Sequence, residues 1–367
     1  MADLFTIFIL IIAIIGLATS VGLTWLLLPK IMSFMKKRDI VGTDIHKEDK
    51  PKIPEMGGVA LLLSISIISV IILIISILIF PDQVFTYQFL AFILATVIGG
   101  GIGIIDDLKR LSGKIKPLLL TLGSLPIFII NFFLITICNP YPYFPLIGSF
   151  TINIVYYLII PIAYSVISNA MNMLDVVNGS MSGSSVVIFS VLCITSIFFI
   201  FFPLTDKNPA GLAGLFPSSV EQAYVGLVIS SVMLGASLIL FKYNKFPAKT
   251  FAGDVGALLM GSGISSVAIL GGQEFIVVIC LLPFVINAFQ MLSSVGKVVE
   301  GRKLKYRPTK ILSDGRIAAS DHDKAPMTLM RILLGKRPKK EKEIALDIIL
   351  LTIFSGILAL ITMFLTI

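Results

Sequence analysis

Charge is scarce in this sequence. Only 14% of its 367 residues are Asp, Glu, Lys or Arg, while 56% are hydrophobic; an ordinary soluble domain carries about 25% charged residues. With a mean hydropathy of +1.00, that shortage excludes a water-soluble fold. Histidine is almost missing. His46 and His322 share no ligand spacing, so zinc lacks its usual donors, and His46 is given no role. The three cysteines, Cys138, Cys193 and Cys280, lie in or beside apolar segments without CxxC spacing, and are read as packing residues. No internal repeat, low-complexity tract or detached soluble domain is visible, so residues 1–367 are expected to form one integral membrane domain. Its largest extramembrane piece is a loop at about 296–343.

What the chain has instead is apolar runs. Ten are long enough to cross or nearly cross a bilayer, at roughly 5–28, 57–80, 87–105, 117–137, 152–168, 183–202, 223–241, 255–271, 275–295 and 344–366. The first is too long for a signal-peptide core and is followed rather than preceded by basic residues, so it is expected to remain as a span. The eighth, rich in Gly and Ser, suggests close helix packing. The loops after spans 1, 3, 5, 7 and 9 hold 7, 4, 0, 3 and 14 of the 29 Lys and Arg, leaving Lys207 alone on the other side. Since basic loops stay cytoplasmic, the expected fold is all-α and polytopic, with about ten transmembrane helices, both termini outside and the active site on the cytoplasmic face. The net charge of +8 then reports orientation, and no nucleic acid partner is expected.

No span carries an ionisable residue near its middle, which argues against an ion-driven transporter or flippase, the rival class of function. Acids and amides gather instead at the cytoplasmic span ends. Asp106 and Asp107, in GIGIIDDLKRLSGKIK, precede Lys109, Arg110, Lys114 and Lys116. Alone they read as a solvated helix end; together they offer a hard-cation ligand and phosphate donors. In NAMNMLDVVNG, Asn169, Asn172 and Asp175 are three apart, so a helix would put them on one face. Oxygen donors without His or Cys suit Mg²⁺ or Mn²⁺. Asp254, in FAGD, stands at the start of span 8, where it could either cap the helix or hold a metal.

HKEDKPKIPEMGG, GIGIIDDLKRLSGKIKP, NAMNMLDVVNG and FAGD, in that order and each beside a span, resemble the polyprenyl-phosphate N-acetylhexosamine-1-phosphate transferases. The resemblance covers nearly the whole chain. KPKIPEMGG, FAGD and the long ninth-span loop look closest to the UDP-N-acetylglucosamine–dolichyl-phosphate N-acetylglucosaminephosphotransferases, of archaeal kind. Bacterial cell-wall branches carry a histidine cluster where this chain has only His322, which points away from a peptidoglycan precursor. Asp175, as in prokaryotic members, points away from an endoplasmic-reticulum address and toward a cell membrane.

The resemblance implies roles for matching positions. Asn172 and Asp254 would hold Mg²⁺ or Mn²⁺, with Asp175 as a third ligand. Lys116 would contact the pyrophosphate, and one of Asp106 and Asp107 would deprotonate or orient the lipid phosphate. Glu55, Asn178 and Phe251 would surround the uridine, and Lys305 and Arg307 would lie near the sugar phosphate. The implied partners are UDP-N-acetylglucosamine, or another UDP-N-acetylhexosamine, and a polyprenyl (dolichyl) phosphate. A homodimer is one assembly that the resemblance allows.

Overall fold

In the computed structural model, residues 2–47, 49–79, 83–137, 143–144, 148–149, 153–202, 219–296 and 304–365 are described; Cys138 and Lys207 lie outside them. A bilayer offers backbone groups no water, so spans close their hydrogen bonds internally as helices. The elements in chain order are α1 (Ala2–Lys37), β1 (Val41–Thr43), β2 (Lys52–Pro54), α2 (Gly58–Ile79), α3 (Gln83–Lys109), α4 (Ile115–Leu120), α5 (Leu125–Phe133), β3 (Tyr143–Phe144), β4 (Gly148–Ser149), α6 (Asn153–Met173), α7 (Ser180–Phe201), α8 (Val220–Asn244), α9 (Gly253–Leu270), α10 (Glu274–Cys280), α11 (Leu282–Val295), β5 (Thr309–Ile311), β6 (Ile317–Ala319), α12 (Leu329–Leu333) and α13 (Glu341–Leu365). The strands form three antiparallel two-stranded ribbons, β1 with β2, β3 with β4 and β5 with β6.

Among the described residues, nine helical stretches are long and apolar enough to cross a membrane. The expected ninth span is not one straight helix: α10 and α11 meet at 64°, and counting them as one span gives ten. Pro283 sits in the first turn of α11, where its missing N–H and fixed φ start a new helix rather than continue the old one. The fourth span is also composite, with a 3₁₀ turn at Thr121–Ser124 between α4 and α5. The first runs past its expected end at residue 28, through Pro29, to Lys37. At 1.5 Å per residue α1 is about 54 Å long, well beyond the roughly 30 Å of hydrocarbon.

Helix α9 is the axis of the bundle. In its apolar stretch 89% of residues are buried, against 28% for α1 and 33% for α2 and α13, whose exposed Ile and Leu side chains make a lipid-facing surface. Small residues let neighbours reach the α9 backbone. A Cβ on Gly58 of α2 would lie 2.2 Å from the Gly256 nitrogen, and one on Gly103 of α3 would lie 2.3 Å from the Val255 Cα. Ser262, Ser265 and Ser266 donate to carbonyls four residues back, so their hydroxyls are satisfied away from water.

The backbone contact at Gly103 carries a prediction. Gly103→Ala should destabilise the detergent-solubilised protein by the ~1–3 kcal/mol typical of overpacking, whereas Gly101→Ala, on the same helix with nothing within 4 Å of its Cβ position, should not. Equal melting temperatures for the two variants would remove the α3–α9 contact from the stability of the fold.

Candidate active site

Four separate segments meet at the end of α9. Its entry loop is paired with the segment before α2: Phe251 N donates to Pro54 O at 2.9 Å, Gly57 N to Phe251 O at 2.9 Å, and Gly58 N to Ala252 O at 2.9 Å. The Thr250 hydroxyl also donates to Pro54 O at 3.0 Å. The IPEMGG and FAGD stretches are thus one interlocked unit. Gly253 at φ +73 and Met56 at φ +59 make the turns that permit it. A side chain at Gly253 would meet Asp107 Oδ2 at 2.6 Å, so glycine leaves the room that Asp107 uses.

Asp107 reaches across from α3 and caps α9. Its Oδ1 accepts the Asp254 amide at 2.8 Å and its Oδ2 the Val255 amide at 3.1 Å. A carboxylate on the open amides of a helix start is favoured by hydrogen bonding and by the helix dipole. Asp254 itself does not cap the helix, and Ala252 at the cap position makes no side-chain bond. The capping alternative weighed for Asp254 therefore belongs to Asp107.

With its amide held, the Asp254 side chain is free for other partners. Lys116, buried in the first turn of α4, bridges Asp254 Oδ1 at 3.0 Å and Asp106 Oδ2 at 2.6 Å. Asp106 Oδ1 accepts the Leu111 amide at 2.7 Å, which closes the turn after α3. Asn172, near the end of α6, lines the same cleft as Asp254. Asp175 does not share its helical face, because α6 stops at Met173. It follows in the turn, and burial with the Asp254 and Asp107 charges nearby pushes its carboxyl up to about 7. Asn169 bonds Met173 Sδ at 3.8 Å and does not line the cleft.

Asp107, Asn172, Asp175 and Asp254 line one cleft of about 510 Å³ together with Asp44, His46, Glu55, Arg110, Asn178, Asn244, Phe251 and Gly253, a size that suits a small-molecule ligand. Asp106 and Lys116 sit behind it. Lys305 and Arg307 are not among its lining residues; they lie in the loop before β5, where Tyr306 stacks on His322 with ring centroids 3.6 Å apart.

Asn178 is held on two sides. Its amide Nδ2 donates to Asp44 Oδ2 at 2.9 Å and its backbone N–H to Glu341 Oε1 at 2.9 Å. Burial would raise the Asp44 carboxyl, but the Lys47 ammonium at 2.8 Å and the Asn178 amide hold it below the ordinary carboxylate value. Sequence reasoning missed Asp44 and Glu341, which are far apart in the chain and carry no motif. His46, which it set aside, lies 3.8 Å from Glu341 Oε1. Asp44, His46 and Glu341 each place a ligand atom within 4.8 Å of the others. Asn244 ties the start of α7 to the same frame, accepting from Gly179 N at 3.2 Å and Ser182 Oγ at 2.8 Å and donating to Thr250 O at 3.1 Å.

The donor set fits a hard divalent cation. Asp254, Asn172 and Asp175 offer carboxylate and amide oxygens, with no thiolate or imidazole among the three. The cleft is also rich in acids: Asp44, Glu55, Asp107, Asp175 and Asp254 line it with Arg110 as the only Lys or Arg among the lining residues, while Lys47 and Lys116 offset Asp44 and Asp254 from outside it. An anion such as a diphosphate enters such a cleft only with counter-charge.

The double cap gives a prediction. Asp107→Ala should lower the stability of the ligand-free protein by about 1–2 kcal/mol, and Asp107→Asn by less, because the amide oxygen still accepts one N–H. Thermal unfolding measures both; wild-type stability in Asp107→Ala would show that α9 starts without the carboxylate.

Comparison with known proteins is consistent with this arrangement. The family model described as glycosyl transferase family 4 matches residues 89–272, the stretch from α3 through α9. A Methanocaldococcus jannaschii protein named as a glycosyltransferase is similar at 28% identity over 333 residues, 90% of this chain and 91% of that one. A Saccharolobus solfataricus protein named as a UDP-N-acetylglucosamine–dolichyl-phosphate N-acetylglucosaminephosphotransferase is 27% identical over 314 residues, 85% of this chain and 84% of that one. A phospho-N-acetylmuramoyl-pentapeptide-transferase of Methylacidiphilum infernorum is 28% identical over 319 residues, 78% and 80% of the two chains. With the family model matching half of a chain built from membrane-spanning helices, this polytopic membrane protein belongs to glycosyl transferase family 4.

Proposed function

We propose that the protein transfers N-acetylglucosamine 1-phosphate from UDP-N-acetylglucosamine to a polyprenyl phosphate of the dolichyl type, releasing UMP. The observation that carries this reading is the meeting of Asp107, Asn172 and Asp254 at one acid-lined cleft at the end of the bundle, with Lys116 of a fourth helix bound to Asp254 from behind it. A polyprenyl chain stays in the bilayer while its phosphate lies at headgroup level, and a cleft at the helix ends is open to it and to a water-soluble nucleotide sugar alike.

In this reading an oxygen of the lipid phosphate attacks the β-phosphorus of the donor. The bond from that phosphorus to the bridging oxygen breaks, and UMP leaves with the oxygen. Asp254 and Asn172, with Asp175, would hold Mg²⁺ or Mn²⁺, which supplies charge neutralisation and orientation at the diphosphate. Lys116 is poised between Asp106 and Asp254 to share its ammonium with a phosphate oxygen. Asp106 holds Lys116 and is placed to orient the attacking phosphate through it. Asp107 acts through its cap on α9, with one backbone amide on each of its oxygens. Phe251 offers its ring, and Glu55 and Asn178 their polar groups, to the uridine. Lys305 and Arg307 would approach the sugar phosphate from their loop. The whole chain acts as one membrane unit, in the cell membrane with the cleft facing the cytoplasm and both termini outside.

The similarity to phospho-N-acetylmuramoyl-pentapeptide-transferases, as high in identity as that to the archaeal proteins, keeps a second reading in play, the same chemistry on a larger UDP-N-acetylhexosamine. A donor panel separates them. Purified protein with polyprenyl phosphate should release UMP from UDP-N-acetylglucosamine, and EDTA should abolish the release until Mg²⁺ or Mn²⁺ is restored. Asp254→Asn should cut turnover by orders of magnitude. Release from UDP-N-acetylmuramoyl-pentapeptide alone would assign the second donor, and full turnover with chelator present would remove the metal. Single cysteines placed near residues 45 and 310 should react with impermeant reagents only from the cytoplasmic side; labelling of intact cells would reverse the orientation.

A further inference from the structure

We infer that Arg110 binds the phosphate of the lipid acceptor. This rests on the reading of the cleft as a lipid-phosphate transferase site and assigns the acceptor end of it. Four basic residues follow the Asp106-Asp107 pair, and the structure separates them. Lys116 is consumed by Asp106 and Asp254, and Lys109 and Lys114 do not line the cleft. Arg110 lines it and, although the cleft is rich in carboxylates, forms no ion pair within 4 Å with any described residue. A guanidinium left free among acids is available to an incoming anion, and its planar fork matches a phosphate.

The backbone at Arg110 is held in an uncommon conformation. Its φ is +52, in the left-handed region that a long side chain seldom adopts. Asp106 fixes that turn from both sides, with its carbonyl accepting the Arg110 amide at 2.8 Å and its Oδ1 the Leu111 amide at 2.7 Å. An outlier kept by such bonds at a cleft points to use.

Location separates the two reactants. The loop that carries Asp44 runs on through His46, Lys47, Asp49 and Lys50, whereas the helices on either side of Arg110 present apolar side chains outward: Ile105 and Leu108 on α3 are 45% and 60% exposed, and Ile115 and Leu118 on α4 are 49% and 68% exposed. Arg110 thus stands where the acid-lined cleft meets a surface suited to hydrocarbon. A phosphate carried on a prenyl chain satisfies both sides of that boundary; a nucleotide phosphate does not.

The test uses full-length protein in detergent, with Arg110→Asn and Arg110→Lys. Asn tolerates the left-handed turn, so it removes the charge without straining the backbone, and Lys keeps the charge without the fork. Binding of farnesyl phosphate, farnesol and UMP is measured by calorimetry, and the KM for polyprenyl phosphate and for the UDP-sugar by UMP release. Arg110→Asn should bind farnesyl phosphate about tenfold more weakly and raise the acceptor KM by a similar factor, while Arg110→Lys falls between it and wild type. Farnesol binding, UMP binding and the UDP-sugar KM should stay within about twofold of wild type. Unchanged farnesyl phosphate affinity in Arg110→Asn overturns the assignment, as does wild-type protein that binds farnesyl phosphate no better than farnesol. A parallel loss of UMP binding also overturns it, by moving the guanidinium to the nucleotide. Failure of wild-type protein to release UMP from any UDP-sugar, with phosphate-dependent farnesyl phosphate binding intact, counts against the reaction and not against Arg110.

Discussion

The distance at which other backbones can approach the first turn of α9 governs the rest of the structure. Asp107 can reach the Asp254 and Val255 amides only because Gly103, one helical turn earlier on α3, lets the two helices touch at the main chain. Gly58 does the same from α2, and Gly253 leaves the space into which the Asp107 carboxylate fits. A methyl group at any of these positions would push outward the end of the helix that carries Asp254. The acid-lined cleft is therefore a consequence of small residues lying below it.

That arrangement also divides labour between two adjacent carboxylates. Asp106 and Asp107 point to different partners from the end of the same helix: one fixes Lys116 and the turn after α3, the other fixes α9. Neither is a freely solvated charge. Both act on Asp254, Asp106 through the Lys116 ammonium that it shares with Asp254 and Asp107 through the Asp254 amide, while Asp254 itself lines the cleft. Electrostatic catalysis by pre-placed groups depends on such supports, because a group that must first reorganise loses much of its advantage.

Much of this was legible in the sequence because hydrocarbon penalises charge. The spans stood out, and so did the clusters at their ends; Asn172, Asp175, Asp254, Glu55, Asn178, Phe251 and Asp107 do line one cleft. What could not be read was whatever depends on contacts between distant segments. Periodicity placed Asn169, Asn172 and Asp175 on one face, but the helix ends at Met173 and Asn169 is left outside. The bend between α10 and α11 has a local cause in Pro283, yet a 64° turn inside an unbroken apolar run leaves no mark in hydropathy. Glu341 carries no motif, and only folding brings it to the Asn178 amide.

The pairing of residues 250–252 with 54–58 ties two properties together. Phe251 is fixed by Pro54 and Gly57 on its two main-chain groups, and Asp254 comes three residues later on the same strap. An aromatic surface and an acidic oxygen donor are thus mounted on one short rigid bracket, held by a loop that belongs to a different helix. Drift in that loop moves both together, so a lineage that changes the IPEMGG stretch alters how a flat ring and a charged group are presented in a single step. Divergence within such a lineage is expected to be easier at the rim of the cleft, where Arg110 stands on its own turn, than at the bracket.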